Sequence, residues 1–297
     1  LSCKTQWHVA VGNVNVDVSL TLDSYPEPGS NVVATGLWIG IGGAAVNYAA
    51  LVSRWGYKAS VVSIVNPLAV KLGILEELQR LGIDISYVRV VEGEPNIAVI
   101  LMSPGESLRT IISYRGASRT LEGFMIPPIG DHIHFASTPG RVIVEAREAL
   151  KGKTSSYDPG GEVSRDPRGV LEAIGYVDWI FVNERELRKL TSSEDTGEAG
   201  KLLRGRTRML IVKRGPWGAT VISKETTIEA GAPRINKIAD VTGTGDAFNA
   251  AFNIIYKETG NTEKALKTAV TAGALKATLR GSSTMPEREL VEKHMPP

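Results

Sequence analysis

The sequence has very little cysteine, and its charges are nearly balanced. Cys3 is the only cysteine among 297 residues, so the chain cannot form an internal disulfide and suits a reducing compartment. The formal net charge of +2 gives no electrostatic basis for binding nucleic acid or an anionic membrane surface. These absences argue against a disulfide-stabilised scaffold and against a nucleic-acid partner.

Long apolar runs are missing as well. No run of about 18 apolar residues occurs, so the sequence predicts no membrane span and no membrane partner. The first residues lack the basic-then-apolar pattern of a secretion signal. We therefore expect a cytoplasmic location. The remaining composition, 42% hydrophobic and 22% charged, is typical of a globular chain.

Short β-branched runs alternate with helical patterns along most of the chain. Strand-like runs occur at residues 8–18, 59–65, 133–136, 179–182 and 209–213. Helical patterns lie between and after them, as at 44–55, 68–81 and 262–280. This alternation predicts an α/β protein with a mostly parallel sheet covered by helices on both faces.

Two regions break this alternation. Residues 97–102 and 108–114 look like a hairpin, and residues 31–39 look like a strand before a glycine cluster. Consecutive strands with no helix between them do not suit a parallel sheet, so we expect a small β lid inserted in the α/β body. We predict one domain over 1–297, with lid strands within 29–41 and 95–116.

The segment Asp240 to Phe248, Asp-Val-Thr-Gly-Thr-Gly-Asp-Ala-Phe, carries the strongest chemical signal. A glycine turn that leads into a helix leaves backbone N–H groups without a partner inside the helix. These groups and the helix dipole favour an anion such as a phosphoryl group. Asp246 lies beside this site and is placed to take a proton from an attacking hydroxyl. Taken alone, it serves equally well as a helix N-cap.

A second glycine cluster precedes the helical pattern at 44–55. Read as Gly40-x-Gly42-x-x-Ala45, it imitates a dinucleotide-binding fingerprint, which also needs an acid about 20 residues on. The next strand ends in Val65-Asn66 without an acid, so a dehydrogenase is disfavoured. A plain glycine turn before a helix is the other interpretation.

Four segments, in order along nearly the whole chain, resemble motifs of the PfkB (ribokinase-like) family of sugar and nucleoside kinases. They are Gly12 to Asp17, Gly42-Gly43-x-x-x-Asn47, Asn183-x-x-Glu186, and Asp240 to Phe248. The resemblance implies a three-layer α/β/α ribokinase-like fold with a small β-sheet lid. It also implies transfer of the γ-phosphoryl group of ATP, with Mg²⁺, to a hydroxyl of a sugar, sugar phosphate or sugar acid.

The resemblance also implies roles for individual residues. Asp246 is the expected catalytic base, and Gly243, Thr244 and Gly245 form the expected anion hole. The expected acceptor-binding residues are Asn15, Asp17, Gly42, Gly43, Asn47, Arg115 and Asp158. The expected nucleotide-binding residues are Asn183, Lys213, Gly215, Gly218, Thr242, Gly243 and Gly245. Asn183 and Glu186 are the expected metal-associated pair.

Several of these residues have a plainer interpretation. Asn183 and Glu186 have the spacing of a capping box, and the spacing alone does not separate this from a metal role. Arg115 suits a phosphate or carboxylate, or is a surface arginine at a strand end. His132 and His134 share a strand face, but with no third ligand nearby a structural role is favoured over a metal site.

The sequence leaves the acceptor open. A nucleoside kinase of the same family and a non-catalytic sugar or nucleotide sensor both remain as alternatives. ADP as donor, a monovalent cation and a homodimer through the lid are left open as well.

Overall fold

The computed structural model describes residues 6–103, 108–117, 121, 123–191 and 199–296. The strands are β1 Trp7–Gly12, β2 Asn15–Thr21, β3 Gly36–Gly42, β4 Lys58–Val65, β5 Ile83–Asp84, β6 Val88–Val90, β7 Ile97–Ser103, β8 Leu108–Tyr114, β9 His132–Ala136, β10 Thr154–Asp158, β11 Trp179–Asn183, β12 Met209–Lys213, β13 Ala219–Ser223 and β14 Thr227–Ala230. The helices are α1 Ala44–Arg54, α2 Pro67–Lys71, α3 Ile74–Arg80, α4 Gly140–Glu145, α5 Glu162–Arg165, α6 Pro167–Ile174, α7 Glu184–Thr191, α8 Thr244–Thr259, α9 Thr262–Lys276 and α10 Arg288–Lys293.

The central sheet has ten strands and is mostly parallel. Its order is β14-β13-β12-β11-β10-β9-β1-β4-β5, and β6 also pairs with β4. Only β13 and β14, at one edge, run antiparallel to their neighbours. The central parallel strands are largely buried on both faces because helices cover both faces. In β4, for example, the neighbouring residues Val61 and Val62 enter different apolar cores.

Two apolar cores hold the layers together. Phe252 of α8 and Leu51 of α1 belong to the core on one face of the sheet. Ile143 of α4 and Val170 of α6 belong to the core on the other face. The predicted α/β/α architecture is therefore confirmed. None of the helices in the described ranges is both long enough and apolar enough to cross a bilayer.

A separate four-stranded sheet, here called the lid sheet, has the order β3-β2-β7-β8. It corrects one interpretation of the sequence. The run at 8–18 is not one strand, because β1 ends at Gly12 in the central sheet and β2, Asn15–Thr21, begins the lid sheet. Valine recurs at every second position in both parts, but its phase shifts by one residue between Val11 and Val14, where the chain changes sheet.

Other element bounds also differ from the sequence prediction. The strand expected at 31–39 is β3, Gly36–Gly42. The helix expected at 68–81 is divided at Gly73, whose φ of 78° lies in the left-handed region, where glycine carries no steric cost. The helix expected at 262–280 ends at Lys276.

Candidate active site

Three neighbouring strands of the central sheet end in polar residues. Asp158 ends β10, Asn183 ends β11 and Lys213 ends β12. Asn183 and Lys213 are direct partners in the strand register. The carboxyl ends of parallel strands meet at one edge of the sheet, which is where sites form in such folds. The N-terminal half of α8 reaches the same edge, since the Asn249 amide donates to Asp158.

This turn has a conformation that requires glycine. Gly243 precedes α8 with φ 80°, and a Cβ atom at this position would overlap the carbonyl oxygen of Ser282. Asp246 lies in the first turn of α8, where the helix dipole stabilises negative charge. The long 3.4 Å contact of the Thr244 N–H is with the carbonyl of Val241.

Two cavities meet at this turn. The lid cavity, of about 520 Å³, is lined by Asn13, Asn15, Asp17, Gly43, Ala44, Asn47, Ala98, Ile100, Ile111, Ser113, Tyr114, Arg115, Ser137, Asp158, Gly160, Gly161, Arg165, Glu186, Lys213, Thr242, Gly243 and Asp246. The outer cavity, of about 620 Å³, is lined by Lys213, Gly215, Pro216, Gly218, Ala232, Pro233, Arg234, Ile235, Asn236, Ile238, Val241, Thr244, Gly245, Phe248, Val270, Gly273, Ala274 and Ala277.

The turn and the first residues of α8 separate the two cavities. Gly243 and Asp246 face the lid cavity, whereas Thr244 and Gly245 face the outer cavity. Lys213 lines both. A group that bridges the cavities would therefore pass the N-terminus of α8 and the Lys213 ammonium. Backbone N–H groups at a helix start, together with an ammonium, are suited to a phosphate.

Asp246 is held by Asn47, which comes from α1. The Asn47 amide donates to Asp246 Oδ2 over 2.8 Å. Burial raises the pKa of Asp246 to about 6, although the Asn47 hydrogen bond and the charges of Lys213 and Lys276 favour the ionised form. At neutral pH the carboxylate is mostly deprotonated and keeps enough basicity to accept a proton.

Behind Asp246 lies a buried group of three side chains. Lys213 Nζ is 2.5 Å from Asp158 Oδ2, and Asn249 Nδ2 donates to the same oxygen over 2.7 Å. Burial alone would raise the pKa of Asp158, but the charge and hydrogen bond of Lys213 outweigh it and lower the pKa. Burial would likewise lower the pKa of Lys213, but Asp158 and Glu186 raise it. Both groups are therefore ionised, as a compensated buried pair.

Two buried oxygen atoms at the lid cavity lack a hydrogen-bond donor among the described residues. They are Oδ1 of Asp17, in β2, and Oδ1 of Asn47. Burial raises the pKa of Asp17 to about 7; the Ser282 hydroxyl opposes this shift, and the charges of Asp240 and Asp246 add to it. Buried polar atoms are normally hydrogen-bonded, so the two atoms are suited to hydroxyl groups of a ligand.

Asn183 and Glu186 form a capping box at the start of α7. The Glu186 N–H donates to Asn183 Oδ1 over 2.9 Å, and the Asn183 N–H donates to Glu186 Oε2 over 2.9 Å. Glu186 also lines the lid cavity. Burial raises its pKa to about 7, and the neighbouring charge of Asp158 contributes. The capping interpretation therefore describes the observed bonds, while the Glu186 carboxylate also faces the cavity.

Most of the residues singled out in the sequence meet at these cavities. Those at the lid cavity are Asn15, Asp17, Gly43, Asn47, Arg115, Asp158, Glu186, Lys213, Thr242, Gly243 and Asp246. Those at the outer cavity are Lys213, Gly215, Gly218, Thr244 and Gly245. Gly42 and Asn183 line neither cavity. A Cβ atom on Gly42 would overlap the Asp17 carboxylate, so Gly42 makes room for that side chain.

Sequence reasoning missed four residues at or beside the site. Asn249 follows Asp246 by three positions on the same helix, a spacing that hints at a shared face. Glu162 and Arg165 form an ion pair that reaches Arg115. Lys276 is fully buried in α9, and its charge acts on Asp246. Nothing in the alanine-rich sequence around Lys276 marks it as part of a site.

The dinucleotide interpretation of Gly40 to Ala45 does not fit the fold. Gly40 and Gly42 lie in β3 of the lid sheet, whereas the fingerprint belongs after the first strand of a central sheet.

His132 and His134 lie in the core on β9, where both bond the Ser156 hydroxyl.

Comparison with protein families matches residues 7–289 to the pfkB family carbohydrate kinases. The chain belongs to this family. It is 27% identical over 289 residues to an ATP-dependent ribose-1-phosphate kinase of Halopiger xanaduensis, covering 95% of this chain and 96% of that protein. It is 28% identical over 256 residues to a nucleoside kinase of Methanothermobacter thermautotrophicus, covering 84% of this chain and 82% of that protein.

The fold comparison agrees. The ribokinase structure from Thermotoga maritima superposes with a TM-score of 0.85 and 24% identity, covering 97% of this chain and 99% of that one. As a family member, the protein is a kinase that transfers a phosphoryl group to a hydroxyl acceptor, with ATP as co-substrate. A dehydrogenase is thereby excluded.

Proposed function

We propose that the protein transfers the γ-phosphoryl group of ATP to a hydroxyl group of a sugar-type acceptor bound in the lid cavity. The observation that carries the proposal is the position of the turn before α8. This turn and the first turn of α8 line both cavities, with Gly243 and Asp246 on the lid side and Thr244 and Gly245 on the outer side. The α/β body and lid then act as one kinase domain, with the lid excluding water from the reaction.

Asp246 is the proposed general base. The acceptor hydroxyl gives its proton to the Asp246 carboxylate as its oxygen attacks the γ-phosphorus. The bond from that phosphorus to the oxygen bridging to the β-phosphate breaks, and ADP leaves with the electron pair. Asn47, by donating to Oδ2, fixes the carboxylate so that its other oxygen is directed to the hydroxyl.

The start of α8 stabilises the charge that develops on the transferred group. In this proposal the backbone N–H groups of Gly243, Thr244 and Gly245 form the anion hole. The first N–H groups of a helix have no carbonyl partner within it, and they act strongly where water is excluded. Lys213, which lines both cavities, adds a positive charge beside the phosphates.

The acceptor is held by groups that accept hydrogen bonds. Asp17 Oδ1 and Asn47 Oδ1 are buried without a donor among the described residues, and sugar hydroxyls satisfy such atoms. Gly43, with φ 106°, brings backbone close to the same space, and Asn15 adds a polar side chain to the lining.

Asp158 and Glu186 both line the lid cavity, and carboxylate oxygens of this kind suit Mg²⁺. No group of three or more His, Cys, Asp or Glu arranged for a metal occurs within the described ranges. In enzymes of phosphate transfer, Mg²⁺ is usually bound by one or two carboxylates together with waters and substrate phosphates. We assign Glu186 to hold it, with the Asn183 backbone N–H fixing the Glu186 carboxylate through the capping box. When bound, Mg²⁺ neutralises charge on the phosphates.

A monovalent cation is unnecessary in this proposal. The Lys276 side chain is fully buried, and its ammonium lies 3.4 Å from the carbonyl oxygen of Leu279. Its Cε atom is close to Gly243 of the turn. A fixed positive charge is therefore already present beside the anion hole. We expect the same turnover when K⁺ is replaced by tetramethylammonium, and a strict K⁺ requirement would contradict this assignment.

The lid is the proposed homodimer interface. Leu37, Ile39 and Ile112 are 66%, 56% and 57% exposed. The strand register places them on one face of the lid sheet. An exposed apolar patch of this kind is typical of an interaction surface. Light scattering on the purified protein should give a dimer mass that Ile39→Lys reduces to the monomer mass.

An acceptor panel tests the proposal. The protein is incubated with ATP and Mg²⁺ and with ribose, ribose 1-phosphate, ribose 5-phosphate, a sugar acid or a nucleoside, and ADP and phosphorylated product are both measured. A parallel series uses ADP as donor. A preferred nucleoside would support the nucleoside-kinase alternative. Tight binding without product from any acceptor would indicate a sensor and refute the proposal.

A further inference from the structure

One wall of the lid cavity carries two arginines that the reaction itself does not use. Arg115 follows β8 of the lid sheet, and Arg165 ends α5 of the body. Both contact the same atom, Oε1 of Glu162, over 2.5 Å and 2.8 Å. Both arginines line the cavity. The ion pairs therefore hold two guanidinium groups from different parts of the fold on one side of the acceptor space.

The cluster keeps an excess of positive charge. Glu162 supplies one negative charge against two positive ones, and its side chain is only 2% exposed. The Arg115 side chain is 13% exposed and the Arg165 side chain 55% exposed. Burial lowers the pKa of Arg115, and Glu162 opposes this shift. A buried cation without a full counter-charge is costly, and an anionic ligand would relieve that cost.

We propose that Arg115 and Arg165 form a subsite for a phosphate or carboxylate group carried by the acceptor. This inference rests on the proposed kinase function and narrows it to anionic sugars. Guanidinium groups present paired N–H donors that match the oxygens of either anion.

Charge also sets the direction of the acceptor. Asp17 and Asp246 line the same cavity, and carboxylates repel an anion. An anionic sugar is therefore bound with its charged end at the arginines and a hydroxyl at Asp246. Glu162 holds both guanidinium groups before the ligand arrives, which reduces the ordering cost of binding.

The ion pairs also connect the lid to the body, so a purely structural role must be separated from ligand recognition. We compare Arg115→Gln and Arg165→Gln with Arg141→Gln. Arg141 pairs with Glu145 on the surface and is not among the residues lining the lid cavity. Ribose is paired with ribose 5-phosphate, and a neutral hexose with its aldonic acid, so that the two arms distinguish phosphate from carboxylate.

We expect wild type to prefer one anionic acceptor over its neutral partner. Arg115→Gln and Arg165→Gln should each lower kcat/KM for that acceptor about 10- to 100-fold, the scale of a lost hydrogen bond to a charged group. The neutral partner should change less than about threefold, and Arg141→Gln should change neither. Equal losses for both acceptors would indicate a structural role and overturn the subsite, as would a wild-type preference for the neutral partner.

Calorimetric binding without ATP separates this inference from the proposed function. If wild type binds the anionic sugar and Arg165→Gln binds it at least tenfold more weakly, the subsite is supported even where no phosphoryl transfer is found. That result would overturn only the kinase proposal. Transfer to neutral acceptors together with equal binding of both members of a pair would overturn only the subsite.

Discussion

The two cavities that meet at the turn before α8 differ in chemistry. The lid cavity contains the charged residues Asp17, Arg115, Asp158, Arg165, Glu186, Lys213 and Asp246. The outer cavity is lined mainly by small and apolar residues, among them Ile235, Ile238, Val241, Phe248 and Val270. Charged side chains discriminate by the sign of a ligand's charge and by oriented hydrogen bonds, whereas apolar contact is non-directional. Under the proposed function, this difference assigns the chemistry and the choice of acceptor to the lid cavity and leaves the outer cavity to hold a flat, uncharged group.

Removing the base should have the largest effect. Asp246→Asn keeps the size of the side chain but loses its basicity. We expect kcat to fall by roughly 10²–10⁴, measured as product formation under saturating substrates, with an unchanged melting temperature. A pure variant with near wild-type turnover would remove Asp246 from this role.

Removing the buried ammonium group of Lys276 should change the pKa of Asp246. Lys276 lowers the pKa of Asp246, so Lys276→Ala should raise it. The wild-type rate should increase as pH rises through about 6, where Asp246 loses its proton. In the variant this rise should move to higher pH, with roughly a tenfold loss of rate at pH 6.

Ammonium ions provide the control for Lys276→Ala. They occupy the space that the side chain leaves and should restore part of the activity, whereas tetramethylammonium is too large to do so. An unshifted pH profile in a folded variant would show that Lys276 has no electrostatic role.

The variant Glu186→Gln tests whether the carboxylate in the capping box also binds Mg²⁺. Glu186→Gln keeps the capping bond, because glutamine also serves in such a box. We expect activity to fall several-fold at low Mg²⁺ and to recover in part as Mg²⁺ is raised. Rate is measured against Mg²⁺ concentration for both proteins. Superimposable curves would leave only the capping role.

The smallest effect should come from the outer cavity. Arg234 and Asn236 are among the few polar side chains of its described lining. If the nucleobase of ATP binds there, as proposed, its recognition depends mainly on apolar contact. We expect kcat/KM with GTP to lie within about tenfold of that with ATP, since apolar pockets discriminate weakly. A preference of a thousandfold or more would mean that the outer cavity reads polar groups of the base.

Much of the site could be predicted because its signals are short. Gly243 to Asp246 are consecutive, and their conformation depends on a few backbone angles and on the helix that follows. The same holds for Gly43 and Asn47 at the start of α1, and for the Asn183 and Glu186 capping box. Strand and helix alternation likewise predicted the layers, because apolar runs indicate strands that are buried on both faces.

Other features depend on which strands become neighbours. The passage of the chain from β1 to β2 leaves only a one-residue shift in the spacing of the valines, between Val11 and Val14, and this shift does not say which sheet each strand joins. Lys213 and Asp158 are 55 residues apart, and Asn249 and Asp158 are 91 apart. The ion pair of Arg115 with Glu162 joins the lid to the body. The sequence alone determined the layered fold, the turn before α8 and the glycines that shape it, since these follow from local backbone preferences. Only the tertiary structure decided how the charges are paired, because the pairing of distant side chains depends on strand order and helix packing.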